Sequence, residues 1–342
     1  MKELFTIIIC FRNPNVNHLE ICLDSLTKQK FKNFNCVLVD DGSDNGINYF
    51  GFVKQKLSEV NYSYHENRKN LGLGASRNIG VELATGEYVL FLDADDFLTM
   101  DCLHYLNKKI LENSDLDLIC YNYMELYESC YESKNKLITE KKLDEEIFSN
   151  NVSKKMLKYL YDKFQTDWRY CYSKLFLIEN NIQHRNENIY FEDVIFNLHC
   201  KNSFKKMLCT TKRLYFYNRN NLDSIIRNFN SKESAQMILD NTYWIYNSLR
   251  INNLLNKNFF FYVLYFFRQF ILINNNQNNW IFLKELTLKN KFISLRFLTF
   301  KIWFICRFLV LSKRAGKKIC AAVEKRDLKI KNEMILKNMV KE

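Results

Sequence analysis

A single proline, Pro14, and eight glycines stand in a chain of 342 residues. That scarcity excludes interdomain linkers rich in Gly or Pro, and no internal repeat is present. Histidine is almost as rare, with five residues; His65, His104, His184 and His199 are isolated and read as structural. The eleven cysteines contain no C-x-x-C pair and no His/Cys cluster at zinc spacing, so a zinc site is not expected. Their odd count, with no signal peptide ahead of the first strand, fits reduced thiols in a cytosolic chain. No stretch of 18 residues is both apolar and free of charge, so no membrane span is expected.

What is present is apolar and unevenly charged. A hydrophobic content of 47% excludes general disorder, and the length supports one large domain with an appendage, or two domains. Residues 1–230 carry 30 Lys and Arg against 31 Asp and Glu, whereas residues 231–342 carry 20 against 7. All the excess of the +12 formal charge is therefore C-terminal, which points to an anionic surface as the partner of that part.

Along the first hundred residues, strands and helices alternate. Phe5–Phe11 reads as a buried strand, broken by Asn13-Pro14-Asn15. Leu19, Cys22, Leu23 and Leu26 then recur at helical spacing. Cys36–Val39 is a second strand running into Asp40-Asp41-Gly42-Ser43. A polar helix over roughly 47–59 leads to a short strand at Tyr62–His65. The Gly-rich stretch Asn70–Asn78 enters a helix ending near Ala84, and Glu87–Leu92 is a further strand. This order predicts an α/β fold with a mostly parallel sheet flanked by helices. A helix near 99–113, a strand at Leu116–Tyr121, a variable connection over 125–150 and a helix over 152–163 follow. Tyr190-Phe191-Glu192-Asp193 opens another helix.

The strand at Glu87–Leu92 ends in Asp93-Ala94-Asp95-Asp96. Carboxylates at the carboxyl end of a buried strand lie where open α/β sheets place ligands. Asp93 and Asp95, two apart, can be aimed by one turn at a hard cation, Mg²⁺ or Mn²⁺, shared with substrate phosphates. Taken alone, such a cluster is also what a solvated turn looks like.

Four segments together are more specific. Thr6–Asn13, Val39–Ser43, Asn70–Asn78 and Phe91–Asp96 stand in the order and spacing of family-2 glycosyltransferases with the GT-A fold, which this chain resembles densely over residues 4–100 and more thinly to about 228. The resemblance implies a Rossmann-type GT-A catalytic domain over 1–230; the change in composition beyond it predicts a helical, basic and apolar extension over 231–342. The resemblance also implies a donor nucleotide held by Cys10, Phe11 and Arg12, by Asp40 or Asp41 accepting from uracil N3, by Arg77 near the base or diphosphate, and by Asp93, Ala94 and Arg219. Asp95 is then the direct metal ligand, with Asp93 near metal and ribose, and Asp96 is expected to cap the next helix. Asp193 matches the acid that takes the acceptor proton during inversion, with Glu192 beside it; Trp168 falls on the acceptor side. Simpler duties exist for several of these groups: the Asp40–Asp41 turn can serve as a βα cap, and Glu192 and Asp193 suit a helix N-terminus.

Two departures stand out. Arg12 occupies a place where an aromatic often stacks on the base, and the Q-x-x-R-W signature of processive synthases is missing, which favours transfer of a single sugar. The expected reaction is metal-dependent, inverting transfer from a UDP-sugar to a glycan or lipid-linked glycan in bacterial surface-glycan synthesis. A non-catalytic scaffold of the same fold and a nucleotidyltransferase are the alternatives.

In the C-terminal third, residues 259–273 suit ordinary helical packing. Residues 292–318 interleave apolar residues with Arg296, Lys301 and Arg307 and lead into Lys313, Arg314, Lys317 and Lys318. That profile suits a helix lying in an anionic membrane interface on the cytosolic face of the inner membrane. Nucleic acid is not expected as a partner, because the charge accompanies aliphatic density.

Overall fold

The computed structural model describes residues 3–126, 145–149, 166–186 and 192–221. The backbone divides after Ser224 into two units, and every described residue belongs to the first. The helix expected over 152–163, most of the 125–150 connection and the whole extension beyond 230 lie outside the described residues.

Strand and helix alternate as the patterning predicts: β1 (Phe5–Phe11), α1 (Val16–Thr27), β2 (Phe34–Asp40), α2 (Tyr49–Lys56), β3 (Tyr62–Glu66), α3 (Leu73–Leu83) and β4 (Tyr88–Phe91). β1 is buried along its full length, as a strand covered on both faces must be. Its side chains alternate between two apolar layers. Phe5, Ile7, Ile9 and Phe11 join Leu19, Leu23, Tyr49 and Val53 from α1 and α2, while Ile8 and Cys10 join Ile79 and Val81 from α3. β2 splits in the same way, Cys36 and Leu38 to one layer and Val37 and Val39 to the other. Each fully buried Val, Leu or Ile adds about 1.5–3 kcal/mol, so the alternation itself fixes which face α3 covers.

Two local devices place the helices. Asn15 caps α1 by accepting from the amides of Asn17 and His18. At Gly80 an added Cβ would collide with the side chain of Ile8, so glycine is what lets α3 lie close on β1.

The strands beyond β4 depart from simple repetition. They are β5 (Phe97–Leu98), β6 (Leu118–Leu126), β7 (Glu145–Ser149), β8 (Tyr170–Ser173) and β9 (Lys206–Asn218); the helices are α4 (Cys102–Glu112), α5 (Lys174–Glu179) and α6 (Glu192–Ser203). Among the described residues the sheet has nine strands in the order β3-β2-β1-β4-β8-β6-β9-β5, with β7 against β9. Pairing is parallel through β3-β2-β1-β4. β8 is antiparallel to both β4 and β6, and β6 pairs parallel with β9. β7 corrects the reading of 125–150 as connection throughout, because five of those residues pair with β9. The long strand β9 was not foreseen either. Its Lys and Thr residues dilute the apolar signal, and it is held by β5, β6 and β7 rather than by its own pattern.

Candidate active site

β4 ends at Phe91, and the turn carrying Asp93, Asp95 and Asp96 fills the gap before β5, at the carboxyl end of a parallel strand. One carboxylate oxygen from each of the three acids lies within 4.8 Å of the others. This arrangement is held from two sides.

On one side is the end of β9. The Tyr215 hydroxyl donates to Asp96 Oδ2 at 2.6 Å, the Asn218 amide donates to Asp96 Oδ1 at 2.7 Å, and the Asp93 amide donates to the Tyr215 hydroxyl at 3.3 Å. Asn221 Nδ2 donates to Asp95 Oδ2 at 2.6 Å. Asp96 therefore does not cap the next helix. It is fully buried and anchors the turn to β9, while α4 starts six residues later behind Asp101, whose side chain makes no cap bond. Burial, reinforced by Asp95 and Asp93, pushes the Asp96 carboxyl well up.

On the other side is Arg77 of α3, 4% exposed and surrounded by acids. Its Nη2 donates to Asp93 Oδ1 at 2.9 Å, and its Nη1 meets Glu192 Oε1 at 2.7 Å and Asp167 Oδ2 at 3.0 Å. Burial alone would lower the guanidinium's pKa. Asp167, Asp93 and Glu192 outweigh it and raise the pKa well above the usual value. Burial pushes Asp93 up to about 7 against the pull of Arg77, although 29% of its side chain meets solvent. Glu192 is likewise raised by burial. Asp167 is the exception: Arg77 and His184 overcome its burial and hold it low. His184 Nε2 lies 3.0 Å from Asp167 Oδ2, and burial lowers its pKa. The neutral ring with its proton on Nε2 suits that contact, a tautomer assigned from the hydrogen bond.

The expected donor-side residues divide by position. Asp41 accepts from Asn67 Nδ2 at 2.9 Å, the Leu71 amide at 2.8 Å and the Gly72 amide at 2.9 Å. Gly72, at φ 92°, is the N-cap of α3 and makes no side-chain cap bond; Asp41 instead fixes the loop just ahead of the helix by taking the amides of Leu71 and Gly72. Asp40 accepts from the Ser43 amide and the Tyr64 hydroxyl, both at 2.9 Å. Arg12 reaches the Gly42 carbonyl at 3.3 Å and Asp44 at 2.8 Å. The Phe11 ring is buried against Tyr49 and Tyr64, and Ala94 is buried within the acidic turn. Cys10 lies between the two groups, its buried thiol feeling Arg77, Asp93, Asp167 and Asp41.

Arg77, expected near a base or diphosphate, has its fork engaged by three carboxylates of the protein. Glu192 opens α6 as expected and is tied to Arg77; Asp193 follows it, half-buried, and its charge also acts on Arg77. Trp168, expected on the acceptor side, stacks with Tyr215 (4.4 Å) and Tyr217 (5.5 Å) and so rests against the strand that anchors Asp96. Arg219 lies over the Tyr217 ring at 4.6 Å and meets Glu125 at 2.7 Å. Asp167, Tyr215 and Asn221 were not singled out in the sequence, and His184, read there as isolated and structural, is the partner of Asp167. No local pattern marks them, apart from the adjacency of Asp167 to the aromatic segment at Trp168.

The donor set of the acidic turn fits a divalent cation. All candidate ligands are carboxylate oxygens, the preference of hard ions. The hydrogen bonds among the described residues use Oδ1 of Asp93 and Oδ2 of Asp95, leaving the second oxygen of each for a cation. Asp96, with both oxygens occupied, stands behind them.

Comparison with known proteins bears on the family and the fold. Residues 6–155 match the model of Glycosyl transferase family 2. Glycosyltransferase GlyA of Streptococcus pneumoniae serotype 4 is 36% identical over 130 residues, covering 38% of this chain and 18% of that protein. The cholesterol galactosyltransferase of Borreliella burgdorferi is 27% identical over 203 residues, covering 57% and 54%. The match therefore spans about half or less of the length of these relatives. Among solved structures, S. aureus TarS 1-349 in complex with UDP-GlcNAc shares the fold at a TM-score of 0.57 and 17% identity, covering 91% of this chain and 82% of that one.

Proposed function

Residues 6–155 belong to glycosyl transferase family 2, and from that premise we propose that the chain transfers a single sugar from a UDP-sugar, with inversion and metal dependence, to a glycan or lipid-linked glycan acceptor. The observation that carries this reading is the convergence of Asp93, Asp95 and Asp96 within 4.8 Å at the end of β4, tied through Arg77 to the first turn of α6. A UDP-sugar as donor is supported by the UDP-GlcNAc complex of the structural neighbour.

Asp93 and Asp95 would hold Mn²⁺ or Mg²⁺, which when bound supplies Lewis-acid stabilisation of the departing UDP. The Asp40–Asp41 turn shapes the nucleotide end: Asp41 fixes the Gly-rich loop, and Asp40, held by Tyr64 and the Ser43 amide, pairs with Phe11 at the end of β1. Arg219, at the end of β9, would offer its charge to phosphate. Asp193 accepts the proton of the acceptor hydroxyl as that oxygen bonds to the anomeric carbon and the bond to UDP breaks. A carboxylate needs only hydrogen-bond reach for this. Trp168 and Glu192 shape the acceptor side.

UDP titration with and without Mn²⁺ tests the donor site, and free UDP as product tests the chemistry. Metal-independent or absent UDP binding would leave a scaffold of the same fold; release of pyrophosphate would indicate nucleotidyl transfer. Asp193→Asn should bind UDP normally and lose turnover, and an unchanged kcat removes it as the base.

No helix among the described residues is long and apolar enough to cross a membrane. We infer from the sequence that the separate C-terminal region, 231–342, attaches the enzyme peripherally to the cytosolic face of the inner membrane, its 20 basic residues against 7 acidic ones meeting anionic lipid. Sedimentation with anionic but not neutral vesicles is the expected result.

A further inference from the structure

The site contains more acid than the reaction uses. Three carboxylates, Asp93, Asp167 and Glu192, converge on the single guanidinium of Arg77, leaving two negative charges uncompensated if all are ionised. Two of the three have clear places: Asp93 in the metal turn and Glu192 beside the proposed base. Asp167 has none. It has no exposure, it precedes the aromatic cluster at Trp168, and it takes both Arg77 Nη1 and His184 Nε2 on one oxygen at 3.0 Å.

A completely buried charge without function is costly to retain, and the surroundings of Asp167 are rigid. The His184 ring lies flat on Phe196 of α6 at 3.9 Å and edge-on to Phe91 of β4 at 5.2 Å. His184 is further fastened to α3, where its amide and carbonyl bond the Asn78 side chain, each at 2.8 Å. The Tyr172 hydroxyl lies within hydrogen-bond distance of both the Asp167 carbonyl (3.0 Å) and Asn197 Oδ1 of α6 (2.8 Å). Asp167 is thus held by Arg77 and His184 at one carboxylate oxygen and by Tyr172 at its carbonyl.

We propose that Asp167, seated on His184, is a positioning residue: it locks Arg77 so that the guanidinium sets Asp93 of the metal turn and Glu192 of α6 at a fixed separation. The proposal rests on the glycosyltransferase reading above. Arg77 Nη2 holds Asp93 by Oδ1 and so turns Oδ2 toward the cation side; Nη1 holds the first residue of the helix that carries Asp193. Donor and acceptor ends of the reaction are 16 and 115 positions from Arg77 in sequence and meet through one planar fork. A fork transmits orientation in a way a lysine point charge does not. Arg77 is one hydrogen bond removed from Asp93, partners so placed beside a metal ligand typically govern affinity or activity by about 10–100-fold, and Asp167 acts through Arg77.

The test uses the full chain with Asp167→Asn, which keeps shape while removing the charge, and His184→Gln, which keeps the Asp167 charge but removes its aromatic seat. Lys109→Met is the control: Lys109 pairs with Glu112 and Glu145 on α4 and β7, well away from the acidic turn in chain and in contacts. The measurements are UDP affinity with and without Mn²⁺ by calorimetry, kcat and KM for the sugar donor, and thermal unfolding. Asp167→Asn is expected to lose about 10–100-fold both in kcat and in the gain of UDP affinity that Mn²⁺ confers, with metal-free UDP affinity unchanged. His184→Gln should lose less, in the same two quantities, and Lys109→Met should lower stability alone. A wild-type kcat and Mn²⁺ gain in Asp167→Asn overturns the proposal. So does a loss that follows stability equally in Asp167→Asn and Lys109→Met. Should Asp167→Asn fail to fold, an unaltered Mn²⁺ gain in His184→Gln overturns it. Absence of Mn²⁺-dependent UDP binding in the unaltered chain removes the functional reading itself, and the proposal with it.

Discussion

Two acidic turns follow the parallel strands that flank β1 in this molecule, and they are built to opposite ends. At the end of β2, Asp41 accepts two backbone amides and the Asn67 amide group, and Asp40 accepts a backbone amide and a tyrosine hydroxyl. Neutral protein donors satisfy this turn. At the end of β4, three carboxylates are drawn within 4.8 Å of one another, and the one cation among their described contacts, Arg77, is shared with two further acids. Like charges at that distance repel strongly where water is excluded. Acidic residues after a strand are therefore not one kind of feature. The first turn organises a loop, and the second holds an excess of negative charge that a divalent cation would relieve.

The sharpest way to break the comparison is Arg77→Met. The β4 turn would then keep buried acids without a partner, and stability should fall by about 3–5 kcal/mol, read from denaturant midpoints. A loss below 1 kcal/mol would mean that the cluster does not depend on the guanidinium. Asp95→Ala comes next and has the reverse profile. Turnover should drop about 10²–10³-fold, as when an electrostatic stabiliser is removed, while the melting temperature holds or rises because repulsion is relieved. Chelation of metal from the unaltered enzyme should give the same loss, reversed by Mn²⁺.

On the other turn, Asp41→Asn leaves two amides competing for one acceptor oxygen, at a cost of about 1–3 kcal/mol. UDP affinity should weaken through the Gly-rich loop, with metal dependence intact; a changed metal dependence would join the two turns that the comparison separates. The smallest effect concerns acid. Asp167 is held below its ordinary carboxyl range in the fold, so its contribution is present above about pH 3.8 and lost as pH falls below it. Between pH 4 and 2 the unaltered protein should lose stability more steeply than Asp167→Asn, and parallel acid limbs would contradict this.

The difference between the turns was only half visible in the residue order. Both read as carboxylates at strand ends, and Asp93 and Asp95 were singled out correctly as neighbours aimed at one place. Asp96 was misassigned because helix capping is a local rule, and its true partners, Tyr215 and Asn218, lie on a strand 119 and 122 positions away. Arg77 was found by its place in the Gly-rich segment, but its partners were not. A guanidinium on the buried face of a helix takes whatever acids the packing brings, and here β8 enters antiparallel between β4 and β6 and carries Asp167 in just before it.

By itself the sequence determined the strands β1 to β4, the helices between them, the acidic turns that end two of those strands, and the basic weight of the C-terminal third. Those features rest on short-range causes: side-chain alternation, helical spacing, caps and glycine positions act over a few residues. Only the tertiary structure decided which acids share Arg77, that Asp96 is an anchor, and that Trp168 rests on β9. Each of these depends on contacts between segments far apart in the chain, and on the low dielectric their packing creates, which no local pattern encodes.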